Sequence, residues 1–194
     1  PFVVALGASG ALLHARHRRA WHIGLALLIA WAAVGAARIY PYPLSFVNEL
    51  GGSPRNAYRL FSDADWGQDL ISLREYVRAQ KVERVQLSYF GSADPAAYGI
   101  SFHPLPGFRR TLSGPAYFGY NPCTPPPGVY AISVNSLQMG LLYHQRDLYA
   151  FFRDRQPDAY AGHTIHIYRV EYPPGTPVDR AVLIGPAIMD VPCD

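Results

Sequence analysis

The sequence predicts a membrane protein of mixed class. It has one complete and one truncated membrane helix, followed by a small α/β domain with a three- to four-stranded sheet. The first observation is a 20-residue apolar stretch over 21–40; as a helix it spans about 30 Å, the thickness of the hydrocarbon core of a bilayer. The second is the alternation of helix-like and strand-like segments after residue 41, which is typical of a sheet with helices packed on it.

The charges are distributed unevenly along the chain. Residues 1–40 contain no Asp or Glu and carry four of the 17 basic residues, which leaves 13 basic against 14 acidic residues in 41–194. The net charge of +3 therefore arises at the start of the chain. Since no basic stripe with interleaved aromatics occurs, the sequence gives no indication of nucleic-acid binding.

The apolar stretch is read as a transmembrane helix. Trp21 and Tyr40 lie at its ends, where amphipathic rings favour the headgroup region. The apolar residues 1–13 lack the features of a signal peptide, so we expect a helix cut in the middle and a chain that is part of a longer one. The alternative is a buried helix of a soluble protein.

The basic link at 14–19 sets the predicted orientation. Short basic loops stay cytoplasmic, which places 1–40 in the inner (plasma) membrane, in contact with lipid, and 41–194 outside the cytoplasm. That compartment permits a disulfide between Cys123 and Cys193, the only two cysteines; two buried free thiols are the alternative.

Several helices are expected in the external domain. Asp65 and Gln68 are spaced as a reciprocal capping box, after which Leu70, Leu73 and Val77 recur at helical spacing. The other predicted helical segments are a membrane-surface helix at 44–50, a single turn at 96–99 after an Asp-Pro pair, and helices at 137–142 and 147–153.

The strands are predicted from apolar or alternating runs. These runs are 85–90, 129–134 and 163–170, with a possible edge strand at 181–184. Residues 101–128 contain seven prolines and are expected to form a long ordered loop. In a strand at 163–170, His163 and His166 would point to opposite faces and could not share a metal.

The densest cluster of carboxylates is Asp63, Asp65 and Asp69. An Asp-x-Asp pair can hold a divalent cation through hard oxygen ligands. Asp65, however, has a capping role, and the helix dipole favours Asp69 in a first turn. We therefore expect no metal and no cofactor. If a metal did bind, Asp63 and Asp65 would be the weak candidates for its ligands.

Five segments together resemble a known family: 42–52 (YPLSFVNELGG), 65–70 (DWGQDL), 87–91 (LSYFG), 98–100 (YGI) and 130–134 (YAISV). They resemble the C-terminal region of bacterial polytopic glycosyltransferases related to protein O-mannosyltransferases and aminoarabinose transferase, the GT-C group. One departure is Asp63, where the family pattern has Asn.

The resemblance implies an enzyme that moves a sugar from a polyprenyl-phosphate donor to an extracytoplasmic acceptor. Its catalytic carboxylate lies in an early external loop that these residues do not include, so none is assigned here. The residues expected to contact substrate or the membrane face are Asn48, Glu49, Asp65, Trp66, Gln68 and Asp69. The alternative is a membrane-anchored binding module without catalysis.

Overall fold

The computed structural model describes residues 18–47, 51–59, 65–105, 123–139 and 149–178. The chain divides into two compact units, Pro1–Phe46 and Val47–Asp194.

The first unit contains helix α1, Arg18–Ile39. Its 22 residues give a length of about 33 Å, and apolar side chains such as Ile23, Leu27 and Trp31 are exposed. The helix is long and apolar enough to cross a bilayer; that it does so stays a prediction. After it, Pro43–Ser45 forms a 3-10 turn, shorter than the surface helix predicted over 44–50, of which 48–50 lie outside the described residues.

The second unit is built on a five-stranded mixed sheet in the order β2-β1-β3-β5-β4. The strands are β1 (Val85–Ser88), β2 (Phe102–Pro104), β3 (Gly128–Ser133), β4 (Ala159–Ala161) and β5 (Ile165–Val170). Strand β1 is parallel to both of its neighbours, whereas β5 is antiparallel to β3 and β4.

Helices cover both faces of this sheet. Helix α2 (Leu70–Ala79) packs Leu70, Leu73 and Val77 against β1, β3 and β5, which confirms the predicted core face of this helix. On the opposite face, Leu137 of α3 (Val134–Met139) and Phe152 of α4 (Ala150–Arg153) pack against β3 and β5. Because side chains alternate along each strand, the sheet has two separate hydrophobic clusters.

The prediction of three or four strands is wrong for a physical reason. Strands β2 and β4 are three residues each, too short to show an alternating pattern. Strand β2 lies inside the predicted loop 101–128, and its Pro104 is tolerated because β2 is at the sheet edge. The fourth strand predicted at 181–184 lies outside the described residues.

The helices of this unit begin at other residues than predicted. Asp94 caps the turn Pro95–Tyr98 by accepting a hydrogen bond from the Ala96 amide at 2.9 Å, as the Asp-Pro pair predicts. Helix α3 begins at Val134, three residues earlier than predicted, directly after β3. Helix α4 begins at Ala150, and residues 140–148 lie outside the described part.

Candidate functional site: two buried aspartates and an arginine-lined cleft

The carboxyl ends of β1 and β3 mark a topological switch point. From β1 the chain reaches β2 on one side, while β3 lies on the other side of β1. Ligands of open α/β sheets bind outside the strand ends at such a point. Here Ser133, the last residue of β3, donates a short hydrogen bond to Asp65.

Asp65 is fully buried and held by several protein donors. Its Oδ1 accepts a hydrogen bond from the Gly67 amide at 2.8 Å, and its backbone carbonyl accepts one from Asn135 Nδ2 at 2.7 Å. Burial raises the pKa of the Asp65 carboxyl to about 6, although the hydrogen bonds from Ser133 and Gly67 oppose the shift. Asp65 thus joins the segment before α2 to the end of β3.

Asp69 is also fully buried and holds the turn between β4 and β5. Its Oδ2 accepts hydrogen bonds from the His163 amide at 2.8 Å and from the Thr164 amide and hydroxyl, both at 2.7 Å. Gly162 in the same turn has φ +63°, and a Cβ there would lie 2.1 Å from Asp69 Oδ1. The turn therefore requires glycine next to this carboxyl group.

The predicted capping box is wrong. Helix α2 begins at Leu70, and Asp69 at its N-cap position makes no side-chain capping bond. Gln68 accepts a hydrogen bond from the Trp66 amide at 2.8 Å. The capping prediction failed because Asp65 and Asp69 bond to β3 and to the β4–β5 turn, contacts that sequence spacing does not reveal.

Trp66 is the remaining predicted site residue that the structure describes. Trp66 is 59% exposed and meets the Phe90 ring edge-on at 6.0 Å. Asn48, Glu49 and Asp63 lie outside the described residues. Within the described ranges, no group of three or more His, Cys, Asp or Glu side chains could hold a metal ion.

The cysteine and histidine predictions have separate outcomes. Cys123 is disulfide-bonded; the other cysteine of the chain, Cys193, lies outside the described residues. His163 precedes β5 and lies in a turn, so its predicted place on a strand face is wrong. His166 is buried within β5.

A cleft of about 410 Å³ lies on the face of the sheet that α3 and α4 cover. Its lining residues are Asn56, Tyr58, Arg59, Arg153, Asp154, Arg155, Gln156, Pro157, Tyr160, His166 and Tyr168. They come from the 3-10 helix Pro54–Arg59, from the end of α4, and from β4 and β5. Among the lining residues that the structure describes, three arginines stand against one aspartate, which gives this part of the cleft a net positive charge.

Contacts with the protein orient the arginines in and beside the cleft. Arg153 Nε donates a hydrogen bond to the Leu137 carbonyl at 3.0 Å. The Arg155 guanidinium lies 4.3 Å from the centre of the Phe151 ring. Arg59 Nε donates to the Tyr58 hydroxyl at 3.3 Å. Such contacts hold a guanidinium in place without neutralising its charge.

His166 lies at the base of the cleft. Tyr58 and Tyr160 meet its ring edge-on at 5.4 and 5.0 Å, and its Nε2 lies 3.3 Å from the Arg55 carbonyl oxygen. Burial lowers the pKa of His166 to about 4. The imidazole is therefore neutral near pH 7, and the positive charge of the cleft comes from its arginines.

This cleft is not predicted by any pattern in the sequence. Its walls come from 54–59 and 153–168, segments far apart in the chain whose approach depends on the sheet topology. Two local signals exist in the sequence, the run RNAYR at 55–59 and the run RDRQ at 153–156. Each alone reads as a solvated basic segment.

No family model, curated protein or solved structure matches this chain.

Proposed function

We propose that this chain is the extracytoplasmic C-terminal part of a polytopic membrane glycosyltransferase. The enzyme would move a sugar from a polyprenyl-phosphate donor to an acceptor outside the cytoplasm. Helix α1 would be one of its membrane crossings, and the five-stranded domain would lie beyond the membrane near the acceptor.

The observation that carries this proposal is the string DWGQDL at 65–70, the most specific of the segments that resemble the GT-C group. The geometry gives the string a structural role: Asp65 bonds to the end of β3 and Asp69 to the β4–β5 turn. Related proteins would keep a string with this structural role even though its side chains take no part in the reaction. Support for a membrane enzyme comes from the length and apolar surface of α1.

Under this proposal the chemistry needs a base from elsewhere in the enzyme. The acceptor oxygen attacks the anomeric carbon, the bond between that carbon and the phosphate oxygen breaks, and the phosphate leaves with the electron pair. A carboxylate takes the acceptor proton as the new bond forms. Neither Asp65 nor Asp69 is suited to this step, since both are fully buried and hydrogen-bonded.

Deletion of the gene tests the proposal. The unused donor should accumulate as a polyprenyl-phosphate sugar in lipid extracts, while one envelope glycan, lipid or protein loses a sugar. Both are read by mass spectrometry, and the intact gene should restore both. Unchanged donor and glycan pools would contradict the proposal.

A membrane-anchored binding module without catalysis is the second candidate. The cleft favours it, because its walls belong to a single compact unit and need no partner domain. In that case the deletion would leave the donor pools unchanged. The purified chain would still bind a ligand.

A further inference from the structure

We infer that the arginine-lined cleft is a binding site for a small sugar that carries an anionic group, either a phosphoryl group or a carboxylate. The inference does not depend on glycosyl transfer, because it rests on the shape and charge of the cleft alone. Neither the sequence motifs nor the proposed transferase chemistry assigns a role to these residues.

Charge is the first argument. Among the described lining residues, Arg59, Arg153 and Arg155 are accompanied by one acid, Asp154, which also attracts Arg59. Among the described residues, neither Arg59 nor Arg155 has an ion pair with a carboxylate. Guanidinium groups present paired N–H donors that match phosphate and carboxylate oxygens. An excess of arginine around a concave site therefore favours an anion.

The aromatic walls are the second argument. Tyr58, Tyr160 and Tyr168 line the same cleft. Tyr58 and Tyr168 are only 6% and 3% exposed, so the half-buried Tyr160, with Arg55 4.3 Å from its ring centre, offers most of the aromatic surface. Aromatic side chains offer flat apolar surface together with a hydroxyl. A bare inorganic anion would use only the arginines, whereas a sugar ring would use both kinds of surface.

Size and rigidity are the third argument. The volume of about 410 Å³ lies within the range of small-molecule sites, roughly 300–1,000 Å³. The His166 contacts to Tyr58 and Tyr160 and the Arg153 bond to Leu137 hold the walls before any ligand arrives. A preformed site loses less entropy on binding.

Calorimetric titration of the 194-residue chain in a neutral detergent tests the inference. The probes are glucose 1-phosphate, glucuronate, methyl glucoside and inorganic phosphate. We expect glucose 1-phosphate, glucuronate or both to bind in the millimolar range or tighter, and methyl glucoside and inorganic phosphate to bind at least about tenfold more weakly. The preference between the first two identifies the anionic group.

Two matched variants locate the site. Arg59→Gln should weaken binding of the preferred anion roughly tenfold or more, the effect of losing one charged hydrogen-bond donor. Arg78→Gln on α2 removes the same charge from an exposed position outside the cleft and should leave binding unchanged. Since Arg59 is exposed, its substitution should not disturb folding; Arg155→Gln repeats the test at a second exposed position.

Four outcomes would overturn the inference. These are no binding of either anionic sugar, equal binding of methyl glucoside, equal binding of inorganic phosphate, or unchanged binding by both Arg59→Gln and Arg155→Gln. A negative titration does not contradict the transferase proposal, which is tested by donor accumulation in the deletion strain. Unchanged donor pools in that strain likewise do not contradict ligand binding in the cleft.

Discussion

Substitution of Gly162 by alanine tests the role of Asp69 most directly. Gly162 has φ +63°, and a Cβ there would lie 2.1 Å from Asp69 Oδ1. Gly175 also has a positive φ, +86°, but a Cβ there meets nothing within 4 Å. Both substitutions strain the backbone, and only Gly162→Ala also displaces the carboxyl group.

The magnitudes follow from these contacts. Backbone strain lowers the free energy of unfolding by about 1 to 2 kcal/mol for either alanine. Displacing Asp69 weakens its three hydrogen bonds to residues 163 and 164, and losing even one such bond costs about 1 to 3 kcal/mol. Gly162→Ala should therefore cost about 2 to 5 kcal/mol in total.

Urea unfolding of the full chain in detergent, followed by near-ultraviolet circular dichroism, measures both variants. A double variant supplies the control. In an Asp69→Ala background the obstructing group is gone, so adding Gly162→Ala should cost no more than Gly175→Ala does. Equal losses for the two single glycine variants would refute the role assigned to Asp69.

Three further predictions concern buried side chains, measured by the same unfolding assay. Because the folded pKa of Asp65 is about 6 against an ordinary 3.8, the Asp65 carboxyl should contribute a loss of stability of about 3 kcal/mol as the pH rises from about 3 to about 7, and Asp65→Asn should remove that contribution. The folded pKa of His166, about 4 against 6.5, has the opposite effect: the His166 ring should contribute a loss of about 3 kcal/mol as the pH drops from about 7 to about 3, and His166→Gln should remove that contribution. In the wild type the two contributions largely cancel. The free energy of unfolding relative to wild type should thus rise with pH for Asp65→Asn and fall with pH for His166→Gln. Parallel pH profiles for the two variants would contradict both assignments. Leu73→Ala should cost about 2 to 5 kcal/mol because Leu73 is fully buried, whereas Ile71→Ala, at a side chain 50% exposed, should cost well under half as much.

Local pattern predicted much of the architecture. The apolar run gave α1, helical spacing gave the buried face of α2, and apolar or alternating runs gave β1, β3 and β5 within a few residues. These elements are long enough to show their period. Strands β2 and β4 are three residues each and lie at the two edges, so their conformation depends on pairing with a neighbour.

The candidate sites were harder to predict because they depend on contacts between distant segments. The sequence singled out Asp65 and Asp69, but it assigned them to a capping box that the structure does not contain. Their partners, Ser133 and Thr164, are about 70 and 95 residues further along the chain. The cleft shows the same limit, since no local pattern indicates that Arg59 and Arg155 share one cavity.

The distance in sequence between the cleft walls has a thermodynamic consequence. An unfolded chain cannot bring the stretch 54–59 to β4 and β5, so only the native domain can hold an occupant there. An occupant present at a hundred times its dissociation constant would add about 2.7 kcal/mol to the resistance against unfolding. A library of acidic sugars could therefore be screened by melting temperature alone, with no assay for turnover, and the compound that raises it most would identify the kind of ligand that this domain binds.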